Sequence, residues 1–220
     1  MTKYIIKRGV EYLNRLSSPQ LPSEQYGTAL YSIGKCLGEE LGKLILNRKT
    51  AIKLVCTSED ADFLTRGVLE SLASIHIYPS LTVFWHKRYT IGVIGIAPII
   101  MKYEEPIDNC ETMIIIKSII SSSCTVATQI TNLFDSINPK TTIIASPVVY
   151  KDAIPNLLTE FPERIISTFK FMYMREDSIR NGNIVIPGIG GDIEQRLGIE
   201  HIEGQQERIP TILRGRISIK

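Results

Sequence analysis

Apolar residues recur along this chain with two alternating periods, and the alternation predicts an α/β protein. Residues 21–49 carry leucines and isoleucines at spacings of three and four, which predicts a long first helix with Ser23 as its N-cap. The run 50–57 is almost continuously apolar and predicts a buried strand, and residues 60–75 predict the helix that follows it.

The same alternation continues through the second half of the chain. Further strands are predicted at 111–117, 141–149 and 164–174, and further helices at 125–137 and 151–161. The strands at 80–87 and 88–105 meet near His86–Thr90, which predicts an inserted antiparallel hairpin. We therefore expect an α/β fold with a parallel sheet, helices on both faces and this hairpin added. Residues 1–220 are expected to form one domain, with 199–220 as a possible C-terminal extension.

Three glycines form a smooth stripe on the first predicted helix. Gly34, Gly38 and Gly42 recur every four residues and therefore lie on one face. Such a stripe predicts close packing on a sheet or on a second helix.

Composition and charge indicate which partners and which cellular location to expect. Hydrophobic residues make up 44% of the chain and charged residues 22%, as in an ordinary soluble protein. The net charge is +2 and the basic residues are scattered, so no nucleic-acid partner is expected. The apolar runs are too short to span a bilayer and residues 1–20 show no signal-peptide pattern, so we expect a cytoplasmic protein without a membrane partner.

The four cysteines are predicted to be free thiols. Cys36, Cys56, Cys110 and Cys124 are far apart and form no Cys-x-x-Cys pair, and the three histidines show no zinc-ligand spacing relative to them. The sequence therefore predicts no metal site built from cysteine and histidine.

A cluster of small residues joins the 111–117 strand to the next helix. Ser121, Ser122, Ser123, Cys124 and Thr125 are the candidate phosphate-binding residues, because backbone N–H groups at a helix N-terminus converge on an anion. The alternative is that serine and threonine only cap the helix.

A second motif lies near residue 190, where a short apolar run is followed by a Pro-Gly turn, further glycines, an acid and an arginine. Together with the serine-rich loop, this segment resembles the carboxyl-terminal signature of the uracil phosphoribosyltransferases, G-Y-I-V-P-G-L-G-D-A-G-D-R. The positions that fit the signature, allowing for one extra residue before the proline and another beside Gly190, are Gly182, Ile184, Pro187, Gly188, Gly190, Asp192 and Arg196.

The resemblance implies a type I phosphoribosyltransferase fold, usually dimeric, that joins a pyrimidine base to phosphoribosyl pyrophosphate. Uracil would be bound by backbone groups around Ile186, Gly188 and Gly190, with Asp192 nearby. The phosphoribosyl loop would be the segment 117–125.

Two loops depart from the family pattern in charge. The family has an acid where this chain has Lys117, Ser118 stands at the next position, and Glu59 aligns with an arginine that binds pyrophosphate. A lysine close to the developing positive charge of the ribosyl carbon opposes transfer, since like charges a few ångströms apart cost about 4 kcal/mol at an effective dielectric constant near 20. The acidic run Glu59, Asp60 and Asp62 is interpreted as solvated charge, with a metal site as the alternative.

These departures favour a uracil phosphoribosyltransferase homologue that has lost catalysis and acts as a nucleotide-binding or assembly protein. The expected partners are a second copy or a related phosphoribosyltransferase, and the expected ligand is a nucleotide or phosphate. The alternative is an active, divergent uracil phosphoribosyltransferase that makes UMP, in which Asp192 and the acids at 59–62 take over the binding of Mg²⁺ or of the ribose. A third hypothesis is a purely structural oligomer subunit. The sequence names no cofactor beyond Mg²⁺ in the active case.

Overall fold

The computed structural model of the protein describes residues 2–45, 50–87, 89–91, 94–182, 184–199 and 207–216. The strands formed by these residues are β1 (Thr2–Ile5), β2 (Ile52–Thr57), β3 (Ser80–His86), β4 (Tyr89–Ile91), β5 (Ile94–Ile96), β6 (Ile99–Glu104), β7 (Thr112–Ile116), β8 (Ile119–Ile120), β9 (Thr141–Tyr150), β10 (Phe169–Asp177), β11 (Ile179–Asn181) and β12 (Ile184–Ile186). No helix in these ranges is long and apolar enough to cross a membrane.

Helices separate most of the strands. Those of the described ranges are α1 (Val10–Leu16), α2 (Ser23–Leu44), α3 (Ser58–Asp60), α4 (Arg66–Ala73), α5 (Cys124–Ile137), α6 (Ala153–Thr159), α7 (Glu163–Ile166) and α8 (Ile193–Leu197). A π-helical turn, Ala61–Thr65, joins α3 to α4, and a short 3₁₀ helix, Thr211–Leu213, lies near the C-terminus.

The main sheet is almost entirely parallel. Its strand order is β1-β10-β9-β7-β2-β3-β6, and β8 pairs with β9. The pair β3–β6 is antiparallel, whereas the other neighbours in this order are parallel. β2 and β7 lie side by side, with Cys56 opposite Ile116, so the loops that follow them begin at the same edge of the sheet.

Apolar side chains cover both faces of the sheet. One cluster packs α1, α2 and α4 against residues such as Leu54 and Ile114, and the other packs α5, α6 and α7 against residues such as Val55 and Ile115. Successive residues of one strand point to opposite faces, which explains why β2 and β7 are buried almost throughout. The predicted fold class, a parallel sheet with helices on both faces and a separate antiparallel hairpin, is therefore confirmed.

The stripe of glycines does what its spacing predicts. A Cβ atom at Gly34 would overlap the carbonyl oxygen of Leu64, and one at Gly38 would lie 2.6 Å from Cβ of Ser71. Helix α2 therefore packs directly against the Ala61–Thr65 turn and α4 through backbone contact.

Several predicted boundaries are wrong. Pro22, not Ser23, is the N-cap of α2, and the helix ends at Leu44, while residues 46–49 of the predicted helix lie outside the described residues. Residues 163–166, most of which lie in the predicted strand 164–174, form α7, because Pro162 begins a helical turn with Ile165 buried beneath it.

The inserted hairpin also differs from the prediction. β3 and β6 pair with each other, but the segment between them forms its own two-stranded hairpin, β4–β5, instead of a simple turn near 86–90. The first strand and helix of the chain, β1 and α1, had no sequence prediction.

Residues 207–216, called here the C-terminal strap, lie against the body of the same chain. Leu213 is fully buried in the cluster formed with α2 and α4. Trp85 Nε1 donates a hydrogen bond of 2.9 Å to the Arg208 carbonyl oxygen. No strand is present in the described part of the predicted extension 199–220, which holds only the 3₁₀ turn at 211–213.

Candidate functional site

The candidate site lies at the edge of the sheet where β2 and β7 end. Lys117 follows β7 and is 2% exposed, and its ammonium donates to Asp60 Oδ2 at 2.6 Å and to Glu59 Oε1 at 3.2 Å. Thr57 Oγ1 donates to the same Asp60 oxygen at 2.9 Å. The two positions whose charge departs from the family pattern, Lys117 and Glu59, therefore form an ion pair with each other.

This contact corrects two interpretations of the sequence. Lys117 and Glu59, interpreted from the sequence as two separate departures, form one compensated arrangement, because each supplies the partner of the other. The acidic run is not solvated, since Glu59, Asp60 and Asp62 are 8%, 1% and 5% exposed. Burial of two carboxylates beside one another requires a cation, and Lys117 supplies it.

Asp60, the last residue of α3, and Asp62, in the π-helical turn that follows, face different parts of the protein. Asp60 faces Lys117, whereas Asp62 Oδ1 accepts hydrogen bonds from Thr211 Oγ1 at 2.8 Å and from the Ile212 N–H at 3.0 Å in the strap. Asp62 also forms an ion pair with Arg208. Burial raises the pKa of Asp62, but the hydrogen bonds from Thr211 and Ile212 and the charge of Arg208 outweigh it, so the pKa lies below its ordinary value.

The serine-rich loop leads into the N-terminus of α5, as predicted. Ser121, Ser122, Ser123 and Cys124 are half-buried and Thr125 is buried. Ser123 is the N-cap residue, yet its side chain makes no capping hydrogen bond. Ser123 and Cys124 instead line a cavity of about 620 Å³ that continues along α5 past Thr128.

Arg180 on β11 brings a cation to the same loop. Its guanidinium donates to the Ser121 carbonyl oxygen at 3.2 Å and to the Gly182 carbonyl oxygen at 2.7 Å, and it lies over the Tyr150 ring. Sequence reasoning missed Arg180 because its partner loop is 59 residues away along the chain. Ser118, at the second position that departs from the family, is fully buried, and its hydroxyl has no hydrogen-bond partner within the described ranges.

The Pro-Gly segment is held by an ion pair between Asp177, which is buried, and Arg175, which is half-buried. Asp177 accepts the Gly188 N–H at 2.9 Å, and Arg175 donates to both Asp177, at 2.7 Å, and the Gly188 carbonyl oxygen, at 2.6 Å. Both backbone groups of Gly188 are therefore engaged within the protein. Ile186 is exposed beside this turn, on β12.

Gly190 and Asp192 have structural partners as well. Gly190 has φ +78° and a Cβ there would overlap the Leu16 carbonyl oxygen, so only glycine fits without strain. Asp192 is the N-cap of α8, where its carboxylate accepts the N–H groups of Glu194 and Gln195.

Tyr26 supports the same turn from α2. Its hydroxyl donates to the Ile189 carbonyl oxygen at 2.8 Å. Burial raises the pKa of Tyr26 well above its ordinary value, so the hydroxyl remains a donor over the physiological range. The base-binding role of Ile186, Gly188, Gly190 and Asp192 stays a prediction.

Comparison with known proteins gives matches by structure alone. No family model matches the chain. No curated protein is similar to it in sequence. The structure of the AQ2163 protein from Aquifex aeolicus superposes with a TM-score of 0.72 and 14% identity, covering 90% of this chain and 98% of that chain. At that identity the match shows a shared fold.

Two further matches are phosphoribosyltransferases. Hypoxanthine-guanine phosphoribosyltransferase of L. donovani has a TM-score of 0.46 and 12% identity, with 72% of this chain and 82% of that chain covered. A hypoxanthine phosphoribosyltransferase of Staphylococcus aureus has a TM-score of 0.45 and 16% identity, with 74% and 80% covered. Superpositions this loose carry no argument about individual residues, and the uracil phosphoribosyltransferase family in particular stays a prediction.

Proposed function

We propose that this chain is a phosphoribosyltransferase-like protein that binds a pyrimidine nucleotide and does not transfer phosphoribosyl groups. The single observation that supports the loss of transfer is the buried contact of Lys117 with Asp60 and Glu59. In the family that the sequence resembles, the position of Lys117 holds an acid that binds the ribose hydroxyls.

The ion cluster removes that acid and supplies no replacement. Lys117 cannot accept a hydrogen bond from a ribose hydroxyl, because an ammonium group has donors only. Glu59 and Asp60 are carboxylates at the edge of the sheet where a ribose acid would be needed. Both are buried and paired with Lys117, so neither faces a ligand. A carboxylate about 4 Å from the developing positive charge would stabilise it by about 4 kcal/mol at an effective dielectric constant near 20, and loss of that attraction would slow transfer roughly a thousandfold.

Features of the serine-rich loop support phosphate binding. The N-terminus of a helix such as the 14-residue α5 presents backbone N–H groups that favour an anion. The Ser123 side chain makes no capping hydrogen bond. Arg180 adds positive charge beside Ser121. We propose that Ser121, Ser122, Ser123, Cys124 and Thr125 hold the nucleotide phosphate and that the base rests near Ile186 and Gly190.

The active alternative has less support from the arrangement of acids. Mg²⁺ would need carboxylate oxygens facing a common point. Asp62 is engaged by the strap, Asp192 by the N-terminus of α8, and Glu59 and Asp60 by Lys117. The acids proposed as ligands therefore do not fit a shared metal site.

The test combines binding with turnover on the full chain. Isothermal calorimetry with UMP is expected to give saturable binding, whereas incubation with uracil and phosphoribosyl pyrophosphate is expected to give no UMP above the rate without protein. Ser123→Asp is expected to abolish UMP binding, because its carboxylate repels the phosphate. Ser136→Asp, which adds the same charge at the exposed far end of α5, serves as the control and is expected to bind UMP as the wild type does.

Two results would contradict the proposal separately. Formation of UMP at enzymatic rates would overturn the loss of transfer. Absence of any heat or thermal shift with millimolar UMP would overturn nucleotide binding and favour the structural subunit. Assembly is part of the same proposal. Sedimentation of the purified chain measures association with a second copy, and sedimentation of its mixture with a related phosphoribosyltransferase measures association with that partner.

A further inference from the structure

The C-terminal strap is attached to the body by polar contacts at three places. Asp62 accepts hydrogen bonds from Thr211 and Ile212 and forms an ion pair with Arg208. Trp85 donates a hydrogen bond to the Arg208 carbonyl oxygen. Arg216 forms an ion pair of 2.7 Å with Glu105. These partners belong to the π-helical turn, to β3 and to the residue after β6. The strap thus bridges the loop that carries the acidic run and the far edge of the sheet.

Little of the strap is buried. Of its ten residues, only Pro210 and Leu213 are buried, whereas six are exposed. Segments with few buried apolar groups and many solvent-facing hydrogen bonds open at a lower free energy than the core to which they are attached. The strap's low burial is therefore typical of a segment that detaches from the body of the protein before the sheet unfolds.

Asp62 is the point at which most of these contacts converge. One carboxylate accepts the Thr211 hydroxyl and the Ile212 N–H and pairs with Arg208, and Thr211 Oγ1 in turn accepts from Arg66 at 2.6 Å. Removal of the Asp62 charge would weaken all the contacts made by this end of the strap together.

We propose that the strap opens and closes as a unit over β3 and the Ala61–Thr65 turn, and that the Asp62 carboxylate is the group that holds it closed. In the closed state Arg208 compensates the charge of Asp62. In the open state the Asp62 carboxylate loses its ion pair with Arg208 and keeps the longer contact with Arg66, at 3.9 Å, and it lies two residues along the chain from Asp60. The position of the strap therefore sets the charge at the edge of the sheet where β2 ends.

Trp85 makes the inference directly measurable. It is the single tryptophan of the chain, it is 3% exposed, and its indole N–H is bonded to the strap. Opening of the strap is expected to expose the indole to water, which shifts its emission to longer wavelength and admits a soluble quencher.

The experiment compares Asp62→Asn with Asp135→Asn in the full chain. Asp135 is an exposed aspartate paired with Arg164 at 3.3 Å on the other side of the sheet, so it controls for loss of a surface charge. Asp62→Asn is expected to raise acrylamide quenching of Trp85 several-fold with the far-ultraviolet circular dichroism unchanged, and Asp135→Asn is expected to match the wild type. Arg208→Ala, on the strap side of the same contact, is expected to behave as Asp62→Asn does.

Hydrogen exchange distinguishes an opening strap from general loosening. In Asp62→Asn, exchange is expected to accelerate in 207–216 and 58–66 and to stay at the wild-type rate in β9. Unchanged quenching in both Asp62→Asn and Arg208→Ala would overturn the proposal. Equal acceleration of exchange throughout the chain would overturn it too, because the strap would then be an inseparable part of the core.

Discussion

At the scale of single residues, the arrangement that most constrains function is the Lys117 ion cluster. A buried ion pair contributes little net stability when it is complete, because desolvation of the charges offsets their attraction. Loss of one member is costly, because it leaves the other charge buried and unpaired. Lys117 serves two carboxylates, Asp60 and Glu59, so its removal leaves two such charges.

Lys117→Met tests this dependence. The substitution retains most of the side-chain volume and removes the charge, and we expect a loss of about 3–5 kcal/mol in the free energy of unfolding. Urea titration followed by circular dichroism measures it. Lys140→Met, which removes a lysine paired with Glu111 on the surface, is the control and is expected to change stability little. A Lys117→Met protein as stable as the control would mean that the carboxylates have another partner.

The same reasoning predicts that a single acid at position 117, as in the family that the sequence resembles, is not tolerated. Lys117→Asp would place a third carboxylate beside Glu59 and Asp60 and is expected to destabilise more than Lys117→Met. Recovery of an acidic site would need the partner loop changed at the same time.

At the scale of elements, the contact of α2 with the Ala61–Thr65 turn and α4 positions the acids Asp60 and Asp62. Gly34 lies against the Leu64 carbonyl oxygen, within the π-helical turn, so the two backbones approach without a side chain between them. This close approach fixes the turn that directs Asp60 toward Lys117 and Asp62 toward the strap.

Two glycine substitutions on α2 separate close packing from helix propensity. Gly34→Ala is expected to cost about 1–3 kcal/mol, because its Cβ meets backbone that cannot rotate away. Gly42→Ala meets only the end of the flexible Ile75 side chain, at 2.6 Å from Cδ1, and is expected to be neutral or to gain up to about 1 kcal/mol from alanine's higher helix propensity. Thermal unfolding of both variants measures the difference, and equal effects would contradict the close contact at Gly34.

At the scale of the whole molecule, the strap contacts both the Ala61–Thr65 turn, through Asp62, and the edge of the sheet, through Glu105. Its two carboxylate partners both have lowered pKa values. Burial raises the pKa of Glu105, but the hydrogen bond from Arg216, the Leu81 N–H and Tyr103 outweigh it. The pKa of Asp62 is lowered, against the effect of burial, by hydrogen bonds from Thr211 and Ile212 and by the charge of Arg208. Arg66 also lies 3.9 Å from the Asp62 carboxylate.

Acid is therefore expected to open the strap. Carboxyls with depressed folded pKa values stabilise fully above their unfolded values, about 3.9 for Asp and 4.3 for Glu, and this contribution is lost as pH falls through the lower folded values. Trp85 emission is expected to shift to longer wavelength on acidification below about pH 4, before the circular dichroism of the sheet changes. Coincidence of the two transitions at every salt concentration would contradict separate opening of the strap.

The sequence by itself determined the features that depend on near neighbours along the chain. The apolar runs of β2, β7 and β9, the 3.6-residue period of α2 and the small residues before α5 predicted an α/β sheet and the place of its serine-rich loop. These features follow from local geometry, since the period of a strand or helix decides which side chains share a face. β1 was missed because its four residues are mostly exposed and show no such pattern.

Only the tertiary structure decided which charges meet. Lys117 and Asp60 are 57 residues apart, and Asp62 and Thr211 are 149 apart, so no local period relates them. Their contacts depend on β2 and β7 being neighbours in the sheet and on the path of the strap, which are properties of the assembled fold. The sequence contained a lysine and an acidic run whose relation could not be read from it, and the fold showed that they neutralise each other, because the ends of adjacent parallel strands lie side by side.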